Sequence, residues 1–362
     1  MKRREILTAA AGVAAASVMA RPAFAQGRPK LKWRMVSSFP KSLDTSFGAG
    51  VFLAKRVSEL TEGGLELQVF APGEIVGGLE ALDAVSNDTV ECCHSVSFYG
   101  LGKDLSFAVG SGLPFIFNAR QLQAWTFEGG GLNLMNEFYS GFNLWGHPCG
   151  NTGAQMGGWF RKEIATLDDL KGLKMRIGAM GGQILSRLGV VPQQIAGGDI
   201  YAAPERGTID AVEWSGAYDD EKLGFARVAK YYYSPGWWEG GPMLHFFVNL
   251  KRWNDLPASY QAALTSACHE ANNRMLAQLD ARNGAALKRL VGTGVQLRLF
   301  SKEILDACYN ETMKLYDELS AKNPKFAKLY ASINALRGDM LLYQRIAELP
   351  YDSFVYSRSS GR

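Results

Sequence analysis

Five residues have the types needed to hold a small anion together with a cation: Gln155, Arg176, Glu213, Trp214 and Glu239. Arg176 stands in Leu173-Lys174-Met175-Arg176-Ile177-Gly178, where strand alternation puts Leu173, Met175 and Ile177 on one face and Lys174 with Arg176 on the other. A strand stopping at Gly178 can hold a guanidinium over a cleft, and the planar fork of an arginine matches a carboxylate in two places, which a lysine does not. Each of the five also has an ordinary role. Arg176 fits a solvated face, and Asp210 and Glu213, three apart, fit one face of a helix. Trp214, Trp237 and Trp238 fit a core, and Glu239 before Gly240-Gly241 fits an exposed turn. Residue type and spacing leave both roles open for each.

Other chemistry has less support. The chain holds no Gly-x-Ser-x-Gly and no His-Glu-x-x-His, and no cysteine-histidine pair has a signature spacing. His94, His147, His245 and His269 sit in unlike contexts, so we read no enzyme. Consecutive Cys92, Cys93 and His94 do not converge easily on one ion, and no second Cys/His pair lies nearby, which argues against zinc. Gly129-Gly130-Gly131 lacks the preceding strand and the following Gly-Lys-Ser/Thr of a phosphate loop.

The elements that must position these residues follow from periodicity. Leu31–Ser38, Leu65–Phe70 and Thr89–Ser97 read as strands, separated by helices over Phe47–Leu60 and Leu79–Val85. That β-α-β-α-β order predicts a parallel sheet covered by helices, with ligands beyond the carboxyl ends of the strands. A helix over Gln121–Phe138, broken at its glycines, leads to a strand at Phe142–Cys149 that crosses into a second domain. There Met156–Phe160, Leu173–Ile177 and Val190–Ile195 are strand-like, with a glycine-opened helix before the last and another helix after it. Met243–Asn249 returns to the first domain, and paired linking strands make a hinge. From 257 to 290 helical spacing runs unbroken, about 50 Å of helix, followed by a strand at Val295–Phe300 and helices near Glu303–Ser320 and Phe326–Arg345. The expected domains are 26–148, 149–250 and a helical part, 251–362, that spans both and dimerises.

Residues 1–25 read as an export signal of twin-arginine type: Lys2-Arg3-Arg4, an alanine-rich segment, then Ala23-Phe24-Ala25. They carry four Lys/Arg and one Glu, so the formal +4 falls to +1 for the mature chain, which argues against nucleic acid as a partner. No later stretch has the roughly 18 uninterrupted apolar residues of a membrane helix. About 337 mature residues, from a chain that is 47% hydrophobic, suffice for two domains. The odd count of five cysteines leaves at least one thiol unpaired within the chain, and buried small apolar residue is the role we read for most of them.

The strings LDDLKGLKMRIG, GGWF and GTIDAVEW resemble the solute receptors of tripartite ATP-independent periplasmic (TRAP) transporters, the DctP family. NTGAQMGGWFRKEI, VVPQQIAGGDIY, YDDEKLGF and YYYSPGWWEGGP are similar to its 2-oxo-acid receptors, the TakP-type subgroup. The resemblance spans nearly all of the mature chain. It implies a two-domain α/β periplasmic binding-protein fold with hinge strands and a long C-terminal helix. It also implies a receptor that closes on a small 2-oxo monocarboxylate, pyruvate-like, with a cation, and delivers it to the membrane subunits of a TRAP transporter. Arg176 then grips the carboxylate, with Gln155, Trp214, Ser95, Val96, Ser97 and Tyr99 around the ligand. Gln155, Glu213, Trp214 (through its carbonyl) and Glu239 hold sodium or calcium, both suited to oxygen ligands. Relatives dimerise through swapped C-terminal helices, so a homodimer is expected. Three positions depart from the family: Gly100 where a tryptophan is expected, and Ser215 with Ala217 after Trp214. They are expected to widen or re-polarise the pocket. The competing readings are a 2-hydroxy acid such as lactate as ligand, or a periplasmic lyase or hydrolase using Glu213 or Glu239.

Overall fold

The computed structural model describes residues 29–195, 197, 200 and 207–359. The export segment lies outside the described residues, as does the body of the helix expected after Ile195.

Two sheets organise the chain. The first has the order β2-β1-β3-β10-β4, made from β1 (Leu31–Ser37), β2 (Leu65–Phe70), β3 (Cys92–Val96), β4 (Leu144–Asn151) and β10 (Met243–Asn249). β1 pairs in parallel with β2 and with β3, as the β-α-β-α-β pattern requires, while β10 runs antiparallel between β3 and β4. Alternation along β3 splits its cysteines between two cores. Cys93 packs with Val36, Phe107 and Phe247, and Cys92 with Trp33, Leu53 and Phe246. All five cysteines are free and buried, the small-apolar role expected of most of them. The glycine run at 129–131 separates helices Ala119–Phe127 and Gly131–Ser140, with Gly130 left-handed at φ 79°.

The second sheet has the order β11-β9-β5-β8-β6-β7. Its strands are short: β5 (Trp159–Phe160), β6 (Lys174–Arg176), β7 (Val191–Gln193), β8 (Ala211–Val212), β9 (Tyr231–Ser234) and β11 (Gln296–Leu299). The helix reading for Asp210 and Glu213 is corrected here. They flank β8, whose residues are β-branched or small and are held between β5 and β6.

The chain leaves the first sheet after Asn151 and re-enters it at Met243. The two crossings are tied together: Thr152 N–H donates to the Pro242 carbonyl at 3.2 Å, and the Asn151 amide donates to the Gly241 carbonyl at 3.2 Å. Helix Ala258–Gly292 spans both halves. Leu264, Ala267, Cys268 and Ala271 pack with the first sheet, Met275 and Leu279 between the halves, and Ala286 and Leu290 with the second sheet. Such division along one face is what an unbroken helix of about 52 Å allows. The last helix runs Pro324–Ser359, well past the expected end at Arg345, and contains Pro350. A proline inside a helix costs about 3 kcal/mol. The extension is exposed, with Leu342, Tyr343, Ile346, Leu349 and Phe354 each more than half accessible.

Candidate functional site

Arg176 ends β6, and the parallel register places it opposite Val212, so Glu213 leaves β8 beside it. The Arg176 guanidinium donates through Nη1 to the Glu213 carbonyl at 2.6 Å and to its carboxylate at 2.5 Å, and through Nε to the Ile195 carbonyl at 3.1 Å. Gly178 N–H donates to the same carboxylate oxygen at 2.6 Å. A side chain on Gly178 would meet the Phe98 ring at 3.0 Å, so this close approach needs glycine. The guanidinium carbon lies 5.0 Å from the centre of the Trp214 ring. Lys174 on the same strand face is exposed, whereas Arg176 is buried: the expected polar face turns inward at its end.

Gln155 and Glu239 come from the two crossings. Gly236 N–H donates to the Gln155 carbonyl at 3.0 Å, and Glu239 N–H donates back to the Gly236 carbonyl at 3.2 Å. A Cβ on Gly236 would fall 2.8 Å from that Gln155 carbonyl, so only glycine lets the crossings meet.

These side chains enclose a cavity of about 40 Å³ between the two halves. Phe39, Ser46, Val96, Phe98 and Tyr99 close it from the first half, Ser215 and Asp219 from the second, and Met275 from the long helix. Arg176 and Glu213 are 2% exposed, Glu239 4% and Gln155 8%. Gln155 Oε1 and Glu239 Oε1 are buried without a hydrogen-bond partner. Burial pushes the Glu213 carboxyl above its ordinary range, opposed by Arg176 and by the Gly178 N–H. Glu239 is pushed well above, by burial first and then by the charge of Glu213, against the pull of Arg176. Burial also lifts the Tyr99 phenol to about 12, again against Arg176. Two carboxyl groups around one guanidinium are short of positive charge. Two carboxylates, the free Gln155 oxygen and the nearby Trp214 backbone form a donor set suited to a hard cation. Among the described residues no group of three or more His, Cys, Asp or Glu forms a metal cluster.

The structure therefore brings together Gln155, Arg176, Glu213, Trp214, Glu239, Val96 and Tyr99. It does not bring the side chains of Ser95 and Ser97 to the cavity, because alternation along β3 turns them away from Val96. The Ser95 hydroxyl pairs with that of Ser38 at 2.7 Å, and Ser97 donates to the Phe107 carbonyl at 2.6 Å. Gly100 does not line the cavity either, and a Cβ there would sit 2.6 Å from the Phe107 ring. Sequence reading missed Phe39, Ser46, Phe98 and Asp219. Phe98 adjoins the expected loop residues, but nothing in the sequence marks Ser46 or Asp219 as neighbours in space.

The mouth carries a second cluster. Asp44, after β1, accepts from Tyr218 Oη at 3.1 Å and from Arg282 at 3.0 Å, and also pairs with Lys222. Beside it, the Thr45 hydroxyl meets both Asp219 oxygens, at 2.6 and 2.8 Å.

Two α/β halves joined by paired crossings, with a buried polar cavity between them, have the architecture of a solute-binding protein. Residues 36–323 match the family described as bacterial extracellular solute-binding protein, family 7 (DctP), and the chain belongs to that family. It is 47% identical, over 99% of its length and all of the relative's, to the monocarboxylate 2-oxoacid-binding periplasmic protein of a Nostoc species. A TRAP transporter solute-binding protein from Bordetella bronchiseptica, a dimer with copurified calcium and picolinate in its active site, is 50% identical with a TM-score of 0.90, over 92% of this chain and 99% of that one. Another from Pseudoalteromonas atlantica, with sodium and pyruvate bound, is 36% identical with a TM-score of 0.86, over 90% of this chain and 99% of that one.

Proposed function

We propose that this protein is the periplasmic receptor of a TRAP transporter, binding a small 2-oxo monocarboxylate such as pyruvate with sodium or calcium and handing it to the membrane subunits. The observation that carries this reading is the pair of unpartnered buried oxygens, Gln155 Oε1 and Glu239 Oε1, set around the Arg176–Glu213 ion pair in one closed cavity. Arg176 takes the ligand carboxylate. Gln155, Glu213, Glu239 and the Trp214 carbonyl hold the cation, which supplies the missing positive charge and draws in the 2-oxo oxygen. Val96 and Tyr99 wall the ligand. Ser95 and Ser97 act only by supporting that wall. The small cavity favours an acid of few carbons, since about 10–15 Å³ by the same measure holds one water. The relatives that carry pyruvate with sodium, and calcium in the same fold, support the pairing.

Export by the twin-arginine-type signal at 1–25 and a homodimer built on the segment after residue 257 complete the proposal. The apolar, exposed end of the last helix supports the dimer, as does the dimeric Bordetella relative. The lobes of the receptor follow the two sheets rather than the expected bounds 26–148 and 149–250: 26–151 with β10 in the first and 152–242 with β11 in the second, bridged by helices from 251–362. A binding role rather than catalysis fits a family of transporter receptors. A 2-hydroxy acid such as lactate offers the same chelating pair of oxygens and remains the second ligand class. Calorimetric titration of pyruvate and of lactate in sodium and calcium buffers tests the reading. Tight pyruvate binding with no product by mass spectrometry supports it. Turnover, or failure of both acids to bind, overturns it.

A further inference from the structure

Four oxygens of side chains lining the cavity are buried with no hydrogen-bond partner: Gln155 Oε1, Glu239 Oε1, Ser46 Oγ and Ser215 Oγ. The first two belong to the cation reading, which leaves the two hydroxyls. Ser46 opens helix Ser46–Leu60 in the first half, and Ser215 follows Trp214 in the second. They are 3% and 4% exposed. The Thr45–Asp219 contact joins the chain beside Ser46 to the chain that follows Ser215, which puts both serines towards the end of the cavity walled by Asp219.

A methyl group at that end would leave both hydroxyls desolvated and unpaired. A site built around hydrogen-bonding groups rejects an analogue that lacks the matching group far more strongly than an apolar pocket does. The remaining wall, Val96, Leu244 and Met275, accommodates one short carbon chain.

We propose that the preferred ligand carries a hydrogen-bonding group on the carbon beyond its 2-oxo group, making 3-hydroxy-2-oxo acids better ligands than pyruvate. This rests on the 2-oxo acid reading above. The ligand hydroxyl donates to one serine and accepts from the other, with Asp219 as a further acceptor. An acid ending in methyl binds through its carboxylate and 2-oxo oxygen alone.

Titrating 3-hydroxypyruvate and pyruvate separately into the full-length mature protein, in buffer with sodium and calcium, tests this. The expected result is affinity for 3-hydroxypyruvate at least roughly tenfold tighter. In Ser215→Ala and Ser46→Ala, made separately, the ratio of the two affinities falls towards one, and pyruvate binding by each variant shows that it has folded. Equal affinities in the parent protein, or a ratio unmoved in both variants, overturn the proposal and leave the 2-oxo acid receptor standing. If neither acid binds the parent, that broader reading fails as well.

Discussion

Glu213 follows β8 directly opposite the end of β6, and one of its carboxylate oxygens accepts both from the Arg176 guanidinium and from the Gly178 N–H. The site's cation-like group and its anion are thus paired within the protein. On the proposed reading, a metal ion that binds Glu213 would weaken its hold on the guanidinium and free Arg176 for a ligand carboxylate. The two binding events are then expected to be linked through this contact.

Replacing Arg176 with lysine keeps the charge and loses the fork. We expect Arg176→Lys to weaken ligand binding tenfold to a hundredfold, about 1.5–3 kcal/mol. Calorimetry that puts the variant within twofold of the parent would mean that the carboxylate is held elsewhere.

Removal of cations should remove affinity. Protein stripped with a chelator and dialysed into a large organic cation is expected to bind pyruvate at least tenfold more weakly, with recovery on adding sodium or calcium. Glu213→Gln should weaken both ligand and cation binding. Affinity independent of sodium and calcium would leave protonation of the acids as the only way to balance the site.

Acidity should move stability in two opposite directions. Burial raises Asp220 to about 7 and Asp219 to about 6, so the folded state binds these protons before the unfolded state does. Their contribution to stability therefore rises as pH falls through those values, by about 1 kcal/mol between pH 8 and 6.5. His147 and His245 are held by burial at about 4 and about 3, so the unfolded state takes their protons first below the ordinary 6.5. Each histidine then costs about what each aspartate gains, because the aspartates go on taking protons ahead of the unfolded state down to about pH 3.8. Urea midpoints for the ligand-free protein should therefore change little between pH 8 and 5. A midpoint that declines steadily from pH 8 would show the aspartates ionised in the fold.

The C-terminal helix should hold the dimer. The mature protein is expected to scatter light as a particle of about 74 kDa, two chains of roughly 337 residues. A version ending at residue 338, without the exposed Leu342, Ile346 and Phe354, should scatter as a single chain. A full-length mass near 37 kDa at micromolar concentration would rule the dimer out.

Much of this fold is legible in the sequence because its periodicities are strong. β10 at Met243–Asn249 and helix Ala258–Gly292 fall within two residues of where their spacing puts them. The second sheet is harder to read because its strands hold two to four residues. Two residues around Val212 show no alternation, and the Asp210–Glu213 spacing mimics a helix. Arg176, Glu213 and Glu239 lie near one another in space but far apart in the chain, so only the family likeness joined them. Ser95 and Ser97 read as ligand neighbours, whereas their hydroxyls bond within the first half; β3 and the turn after it are buried, which hides the face that looks into the cleft. The C-terminal helix outran its expected end because exposed apolar residues beyond Arg345 carry no one-sided pattern.

The cluster at the mouth joins the two halves through exposed charges. Asp44 and its partners Tyr218, Lys222 and Arg282 lie partly in solvent, unlike the Arg176–Glu213 pair inside. Mobile ions screen exposed pairs and leave buried ones nearly untouched. Salt is therefore expected to loosen the contact between the halves, and to shorten the stay of a captured molecule in brine, while leaving the buried pair nearly unchanged.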